Sequence, residues 1–328
     1  MLDVGVIGVG SMGQNHARLY SDLADLVGVY DADLGRAKEV AERFNTTAYE
    51  DMNDLMRQAD AVSVCVPNAM HFRVASEVIS RGVSALVEKP FTGESERAAE
   101  LCRMAEEAGV TLASGFVERF NPVVHAARDS MRRRSFGDVI SLATRRVSSY
   151  PARIKDVGVI MDLAIHDIDV TRFITGYEVE AVYALGGRYN HERFEDYVDL
   201  FLEMGNGVVA FVEANWLTPM KVRRMSFTCS DGFVEMDYID QRLEACSSQF
   251  REMDPFDMFR VPLETDVRRI SVRKEEPLRR ELKDFLSAVE EDREPLCGGR
   301  EAERNLKVCE AAQRSLSRKE RVEVGQSE

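Results

Sequence analysis

The sequence predicts an α/β chain of two domains. Residues 1–121 form a doubly wound parallel sheet, and residues 122–328 form an α+β domain built on an open, mostly antiparallel sheet. Three observations carry this reading. Over the first 120 residues, short apolar runs alternate with helix-length amphipathic segments, the pattern of parallel βαβ units whose strands are buried on both faces. After Asn121-Pro122 the pattern changes to half-buried strands joined by hairpin-like turns. The length of 328 residues suits about two domains.

Each element follows from its local pattern. "DVGVIGVG" (3–10) is an apolar strand running into glycines, and "SMGQNHARLYSDL" sets Met12, His16, Leu19 and Leu23 on one side of a helix. "LVGVYD" (26–31) is a second strand, "DLGRAKEVAERF" a helix with its charges outward, and "AVSVCVP" (61–67) a third strand. "HFRVASEVISRG" is a helix closed by Gly82, and "SALVEKP" (84–90) is a fourth strand. "SERAAELCRMAEEAG" is a helix ending at Gly109, and "VTLASGF" is a fifth strand. In the second domain, residues 138–148, 179–187, 197–204, 207–216, 223–229 and 232–239 read as strands. Gly205-Asn206-Gly207 and Ser230-Asp231-Gly232 supply residues that tolerate positive φ at two hairpins. Helices at about 277–292 and 299–317 close the chain. An open sheet with apolar alternation needs covering, which predicts a homodimer or homotetramer.

Composition sets the broad class. Hydrophobic residues make up 45% and charged residues 30%, ordinary for a globular protein with packed cores. No run approaches 18 uninterrupted apolar residues, so no membrane span is expected. No basic segment followed by an apolar one opens the chain, and the six scattered cysteines contain no C-x-x-C pair. Both features predict reduced thiols and a cytoplasmic location. A net charge of −14 argues against nucleic acid as a partner. Arg132, Arg133 and Arg134 read as a solvated loop beside a turn at Gly137.

Gly8-Val9-Gly10-Ser11-Met12-Gly13 is a G-x-G-x-x-G that follows a strand and opens a helix. In that setting it is a dinucleotide-binding Rossmann pattern. The first glycine permits the turn, the second lets the backbone approach a pyrophosphate, and the third lets helix and strand pack closely. Asp31 ends the second strand 18 residues after Gly13, where a carboxylate accepts from the ribose hydroxyls and repels a 2′-phosphate. The expected cofactor is therefore NAD rather than NADP, with Arg36 the nearby residue that pulls the other way. In an open α/β sheet the ligand lies beyond the carboxyl ends of the strands. Pro67, Asn68, His71, Glu88, Lys89 and Pro90 are thus expected to border the nicotinamide.

One further stretch carries chemistry. "MDLAIHDIDVTRFI" (161–174) is largely apolar but is interrupted by Asp162, His166 and Asp169 at i, i+4 and i+7, which places them on one helical face. The stripe is open to two readings, a satisfied polar network between helices or a catalytic base with its orienting acid. As metal ligands Asp162 and His166 lack a third partner at suggestive spacing among only five histidines, so no metal is expected.

G-x-G-x-x-G, then P-N-x-x-H, then E-K-P, then D-x-x-x-H on a second-domain helix resembles the glucose-fructose oxidoreductase / inositol dehydrogenase (Gfo/Idh/MocA) family. The closing segments "EPLRRELKDFLSAVEEDREPL" and "GREAERNLKVCEAAQRSL" are similar to that family too, so the likeness spans essentially the whole chain. Where the family often has G-G-G before the Asp, this chain reads "DVGVIMD". The resemblance implies an NAD-dependent oxidoreductase in which Lys89, Asp162 and His166 line the substrate pocket against the nicotinamide. On that basis His166 is the base, oriented by Asp162, and Lys89 stabilises the alkoxide; the exchanged assignment, with Lys89 neutral and acting as base, stays open. "GFVERFNP" and "RRVSSYPARIKDVGVIMDLAIHDIDV" look similar to the branch acting on sugar nucleotides, such as UDP-N-acetylglucosamine at C3. Arg119, Asn121, Arg146, Arg153 and Lys155 would then meet a diphosphate or sugar hydroxyls. The alternatives are a free sugar or inositol dehydrogenase, and a non-catalytic NAD(P)-binding sensor.

Overall fold

The computed structural model describes residues 1–151, 156–250 and 263–325. The chain divides into two units, Met1–Phe120 with Glu276–Glu310, and Asn121–Glu275 with Ala311–Glu328.

The first unit opens with β1 (Asp3–Ile7), α1 (Ser11–Leu23), β2 (Asp25–Tyr30) and α2 (Leu34–Phe44). It continues with β3 (Ala48–Tyr49), α3 (Met52–Met56), β4 (Ala61–Val64) and a 3₁₀ turn Asn68–Met70. Then come α4 (His71–Ser80), β5 (Ser84–Glu88), α5 (Ser95–Ala108), β6 (Leu112–Gly115) and a second 3₁₀ turn Val117–Phe120. The six strands are all parallel, in the order β3-β2-β1-β4-β5-β6. Val4, Val6 and Ile7 of β1 and Val62 and Val64 of β4 are fully buried, as the near-continuous apolar runs require. Helix ends follow side-chain chemistry. The Asp33 carboxylate accepts from Arg36 N at the start of α2, and Gly109 closes α5 at φ +65°. Strand order reverses between β1 and β4, so the loops leaving these two strands flank the crevice where doubly wound sheets take ligands. The elements β3 and α3 had no counterpart in the sequence reading, because two and five residues are too few to show a period.

The second unit begins with α6 (Pro122–Arg132) and β7 (Val139–Ser149). A π-helical turn Ile160–Ala164 leads into α7 (Ile165–Thr175), followed by β8 (Val179–Gly187), β9 (Tyr197–Met204) and β10 (Val209–Asn215). The chain then meanders through β11 (Leu217–Cys229), β12 (Gly232–Asp237), β13 (Arg242–Phe250) and β14 (Leu263–Ile270). It runs on through α8 (Pro277–Glu291) and α9 (Gly299–Arg318), which up to Glu310 belong to the first unit, and ends in β15 (Val322–Glu323) of the second. Nine strands form one sheet, β14-β13-β12-β11-β7-β10-β9-β8-β15, antiparallel throughout except for the β7·β10 pair. The expected mostly antiparallel α+β architecture is borne out. α6 and α7 pack together, and α7 lies on β7 and β10. Val198, Leu200, Leu202 and Met204 of β9 are buried while Phe201 between them is 43% exposed, so one sheet face is covered and the other is open.

Four expectations need correction. First, residues 276–310 group with the first unit rather than the second. α8 packs against α1 and the 3₁₀ turn at Val117–Phe120, and it buries Leu278, Leu282, Phe285 and Leu286 in the cluster that holds Leu19 and Tyr20. Periodicity shows that a helix has an apolar face, not what that face meets. Second, the stretch before β7, for which no element was expected, contains helix α6, its start capped by Asn121 accepting from Val123 N, with Pro122 in the first turn. Third, Arg132 belongs to the last turn of that helix and Arg133 is its C-cap, rather than both lying in a loop; all three arginines of the run are exposed. Fourth, β11 starts at Leu217 instead of 223, and β13, β14 and β15 were not anticipated.

Candidate active site

The first unit builds a nucleotide cradle from the ends of its central strands. At Gly8, φ is +89° and an added Cβ would lie 2.8 Å from the backbone of Cys65 at the end of β4. At Gly13 it would lie 1.9 Å from the Gly8 carbonyl oxygen. These two glycines are demanded by the protein's own packing. Gly10 is different, because a Cβ there would meet nothing within 4 Å. It is the N-cap of α1, no side chain caps that helix, and its first turn, with Ser11 and Met12, has no acidic residue. The start of α1 thus leaves room at Gly10 beside a positive helix end, the setting that suits a pyrophosphate.

Asp31 follows β2, next to this turn. Its Oδ2 accepts from Val9 N at 2.8 Å and its Oδ1 from Asp33 N at 2.9 Å. The carboxylate therefore stiffens the glycine turn. The Arg36 guanidinium lies 3.4 and 3.5 Å from its two oxygens, so Arg36 is drawn toward Asp31 itself. These residues fit NAD.

Of the loops after β4 and β5, Pro67 is exposed and Asn68 and Lys89 are half-buried. The neighbouring His71 and Glu88, expected to face the nicotinamide, are instead turned inward. His71 Nδ1 lies 2.7 Å from the Pro90 carbonyl and Nε2 lies 2.9 Å from the Val66 carbonyl, so its ring staples the two loops together. Glu88 Oε1 lies 3.0 Å from His16 Nε2, and Oε2 accepts from Lys89 N at 3.2 Å. Pro90 is buried and joined to Lys89 by a cis peptide bond.

In the second unit, the "MDLAIHDIDVTRFI" segment is buried along its whole length. Asp162 is 6% and His166 7% exposed. Asp162 sits in the π-helical turn, where its amide donates to the Gly158 carbonyl at 3.0 Å. Such wide turns recur at functional sites, and spacing alone has no signal for them. Asp167, for which spacing alone gives no signal, makes a close, fully buried ion pair. Arg146 on β7 donates through Nε to Asp167 Oδ2 at 2.7 Å and through its terminal nitrogen to Oδ1 at 3.0 Å, with both side chains 1% exposed. This bidentate pair corrects the expectation that Arg146 meets a substrate diphosphate.

Arg119 is corrected likewise. It is buried and donates to the Leu296 carbonyl at 3.0 Å and to Glu301 at 3.1 Å, tying the 3₁₀ turn to the α8–α9 segment. Asn121 spends its oxygen on the α6 cap and its amide on the Tyr238 carbonyl at 3.1 Å. Neither side chain is left to hold a substrate. Arg153 and Lys155 lie outside the described residues. Among the described residues, no group of three or more His, Cys, Asp and Glu side chains is placed to hold a metal ion. No described helix is long and apolar enough to cross a membrane.

Residues 2–116 match the oxidoreductase family Gfo/Idh/MocA, described by its NAD-binding Rossmann fold, and residues 124–235 match the C-terminal domain of that family. The chain belongs to the Gfo/Idh/MocA oxidoreductase family. Its cofactor is NAD. Within the family it is 34% identical over 297 residues to UDP-N-acetylglucosamine 3-dehydrogenase of Acidithiobacillus ferrooxidans, covering 90% of this chain and 91% of that one. The solved structure of UDP-N-acetylglucosamine 3-dehydrogenase from that organism aligns with a TM-score of 0.87 at 30% identity, over 97% of this chain and 98% of that one. A scyllo-inositol 2-dehydrogenase (NAD(+)) of Bacillus subtilis is 30% identical, but over only 65% of this chain and 67% of that one.

Proposed function

We propose that this enzyme oxidises a secondary alcohol on a nucleotide-linked sugar, such as C3 of UDP-N-acetylglucosamine. The observation that carries this reading is end-to-end likeness to a UDP-N-acetylglucosamine 3-dehydrogenase, against likeness to an inositol dehydrogenase over about two thirds of the chain. Bound NAD supplies the hydride acceptor. The protein's own part is to take the hydroxyl proton and to steady the charge left on oxygen. His166 is the base, because imidazole titrates near neutrality, and its burial keeps water from competing for it. Asp162 orients the imidazole and stabilises its protonated form. Lys89, a cation at the end of β5, stabilises the developing alkoxide, and preorganised charge of this kind typically contributes a few kcal/mol. A sensor without turnover has no use for this set, and Lys89 and His166 are both present. The six cysteines are all free, which supports a reducing cytoplasmic setting.

The test is NADH formation across a panel of sugar nucleotides, free hexoses and inositols. UDP-N-acetylglucosamine or a close analogue should give the highest kcat/KM. Turnover of inositols or free hexoses alone would overturn the substrate assignment.

We also propose a homodimer or homotetramer, built on the open face of the nine-stranded sheet. Leu185, Phe201 and Val209 stand exposed on the neighbouring strands β8, β9 and β10, and Phe233 is exposed on β12 of the same sheet; the rings of Phe201 and Phe211 pack at 5.2 Å. Light scattering at micromolar concentration should return a multiple of 37.0 kDa; a monomer mass would refute the assembly.

A further inference from the structure

We propose that His16 is a positioning residue for Lys89, acting through Glu88. The inference rests on the role given above to Lys89. His16 and Tyr20, one turn apart on α1, and Ser63 on β4 are fully buried, and Glu88 at the end of β5 is nearly so. They form one continuous hydrogen-bonded chain. The Tyr20 hydroxyl lies 2.8 Å from Ser63 Oγ, and Ser63 Oγ lies 2.9 Å from His16 Nδ1. His16 Nε2 lies 3.0 Å from Glu88 Oε1, and Glu88 Oε2 accepts from Lys89 N at 3.2 Å.

One arrangement of protons satisfies every atom. Tyr20 O–H donates to Ser63, Ser63 O–H donates to Nδ1, and Nε2–H donates to the carboxylate, which also accepts the Lys89 amide. A doubly protonated ring would donate from Nδ1 to Ser63 and leave one buried hydrogen, that of the Tyr20 or the Ser63 hydroxyl, without an acceptor in this chain. Burial pushes the Tyr20 phenol far above its ordinary range, so it remains a donor. The far end of the chain is confined as well. Gly115 on β6 pairs with Glu88, and a Cβ at Gly115 would come within 3.0 Å of the Glu88 carboxyl group.

The chain therefore ends on the backbone of the residue whose charge matters. Glu88 holds the Lys89 amide from one side, and His71 holds the Pro90 carbonyl from the other. Four polar side chains occupy a place in the sheet interior where apolar ones pack at least as favourably. What they add is a fixed starting point for the Lys89 side chain, and the benefit of a positioned charge falls steeply with sub-ångström misplacement.

The test compares His16→Leu and His16→Gln with the unaltered enzyme. Gln offers an N–H to Glu88 and a carbonyl to Ser63, as the neutral ring does. With UDP-N-acetylglucosamine and NAD, His16→Leu should lower kcat about tenfold or more while NAD affinity stays within about twofold, and His16→Gln should recover most of the loss. Independently of turnover, amide exchange read by NMR on protein labelled at lysine nitrogen should be about tenfold faster at Lys89 in His16→Leu, and slow again in His16→Gln. Unchanged Lys89 exchange in folded His16→Leu overturns the proposal, as does a Gln variant no better than Leu. If His16→Leu fails to fold, Ser63→Ala, which removes the partner of Nδ1, carries the same exchange test. Lys89→Ala is assayed alongside. Full turnover by that variant sinks the role of Lys89, whereas a slow Lys89→Ala beside a fast His16→Leu sinks the role of His16.

Discussion

His166→Ala and Lys89→Ala are each expected to lower kcat by about 10² or more, the scale of a positioned base or a preorganised charge, while NAD affinity changes only a few-fold. On the proposed assignment both side chains act at the reacting hydroxyl, whereas the dinucleotide is held by the glycine turn and Asp31. Asp162→Asn should cost less than His166→Ala, since it disturbs the orientation of the imidazole without removing it. The double variant should lose much less than the product of the single losses, because groups acting on one proton and one oxygen fail together. Lys89→Arg separates the two assignments of the base: arginine keeps the charge but does not release a proton at working pH. A Lys89→Arg enzyme much faster than Lys89→Ala supports the electrostatic role, and one equally slow shifts the base to Lys89. Near-normal turnover by His166→Ala would return Asp162 and His166 to a buried structural network.

The second large effect is on stability. Arg146→Met should destabilise the folded protein by about 3–5 kcal/mol, the usual cost of stranding one partner of a buried ion pair. The Asp167 carboxylate, 1% exposed, would lose both bonds from the guanidinium, and the Tyr238 hydroxyl at 3.4 Å brings no compensating charge. Replacing both partners, as in Arg146→Met with Asp167→Leu, should recover most of the loss, because two apolar side chains of similar volume avoid the desolvation cost altogether. Denaturant unfolding of the three variants measures this. A loss below about 1 kcal/mol in Arg146→Met would place the pair among the ion pairs that contribute little. Asp167 adjoins His166 on α7, so the single variant should slow turnover as well, and the double variant shows whether that slowing follows stability.

Much of this molecule was legible as local pattern. The five main strands of the first unit and their helices appear in the sequence as alternating apolar runs and 3.6-residue periods. The glycine turn is legible because its spacing has a geometric cause. Gly8 and Gly13 allow no Cβ, and Gly10 leaves room for a ligand. Asp31, Lys89, Asp162 and His166 could be singled out because each is a charged or titratable side chain at a strand end or on an apolar helix face, where solvation alone does not account for it.

Residues whose partners lie far along the chain were misread. Arg146 and Arg119 looked like surface cations available to a diphosphate, and each is spent on a carboxylate 21 or 182 positions away. His71 and Glu88 sit in the right motifs but face the protein, one stapling two loops and the other closing the chain from His16. The sequence by itself determined the α/β class, the position of the nucleotide cradle and the residue types available for proton and hydride chemistry. All of these follow from side-chain periodicity and from turn sterics that act over a few residues. Only the tertiary structure decided that α8 completes the first core, that β7 pairs in parallel with β10, and which buried charges are structural. Burial and pairing set the energy of a charged group, and both are created by chain segments that meet only when the fold closes.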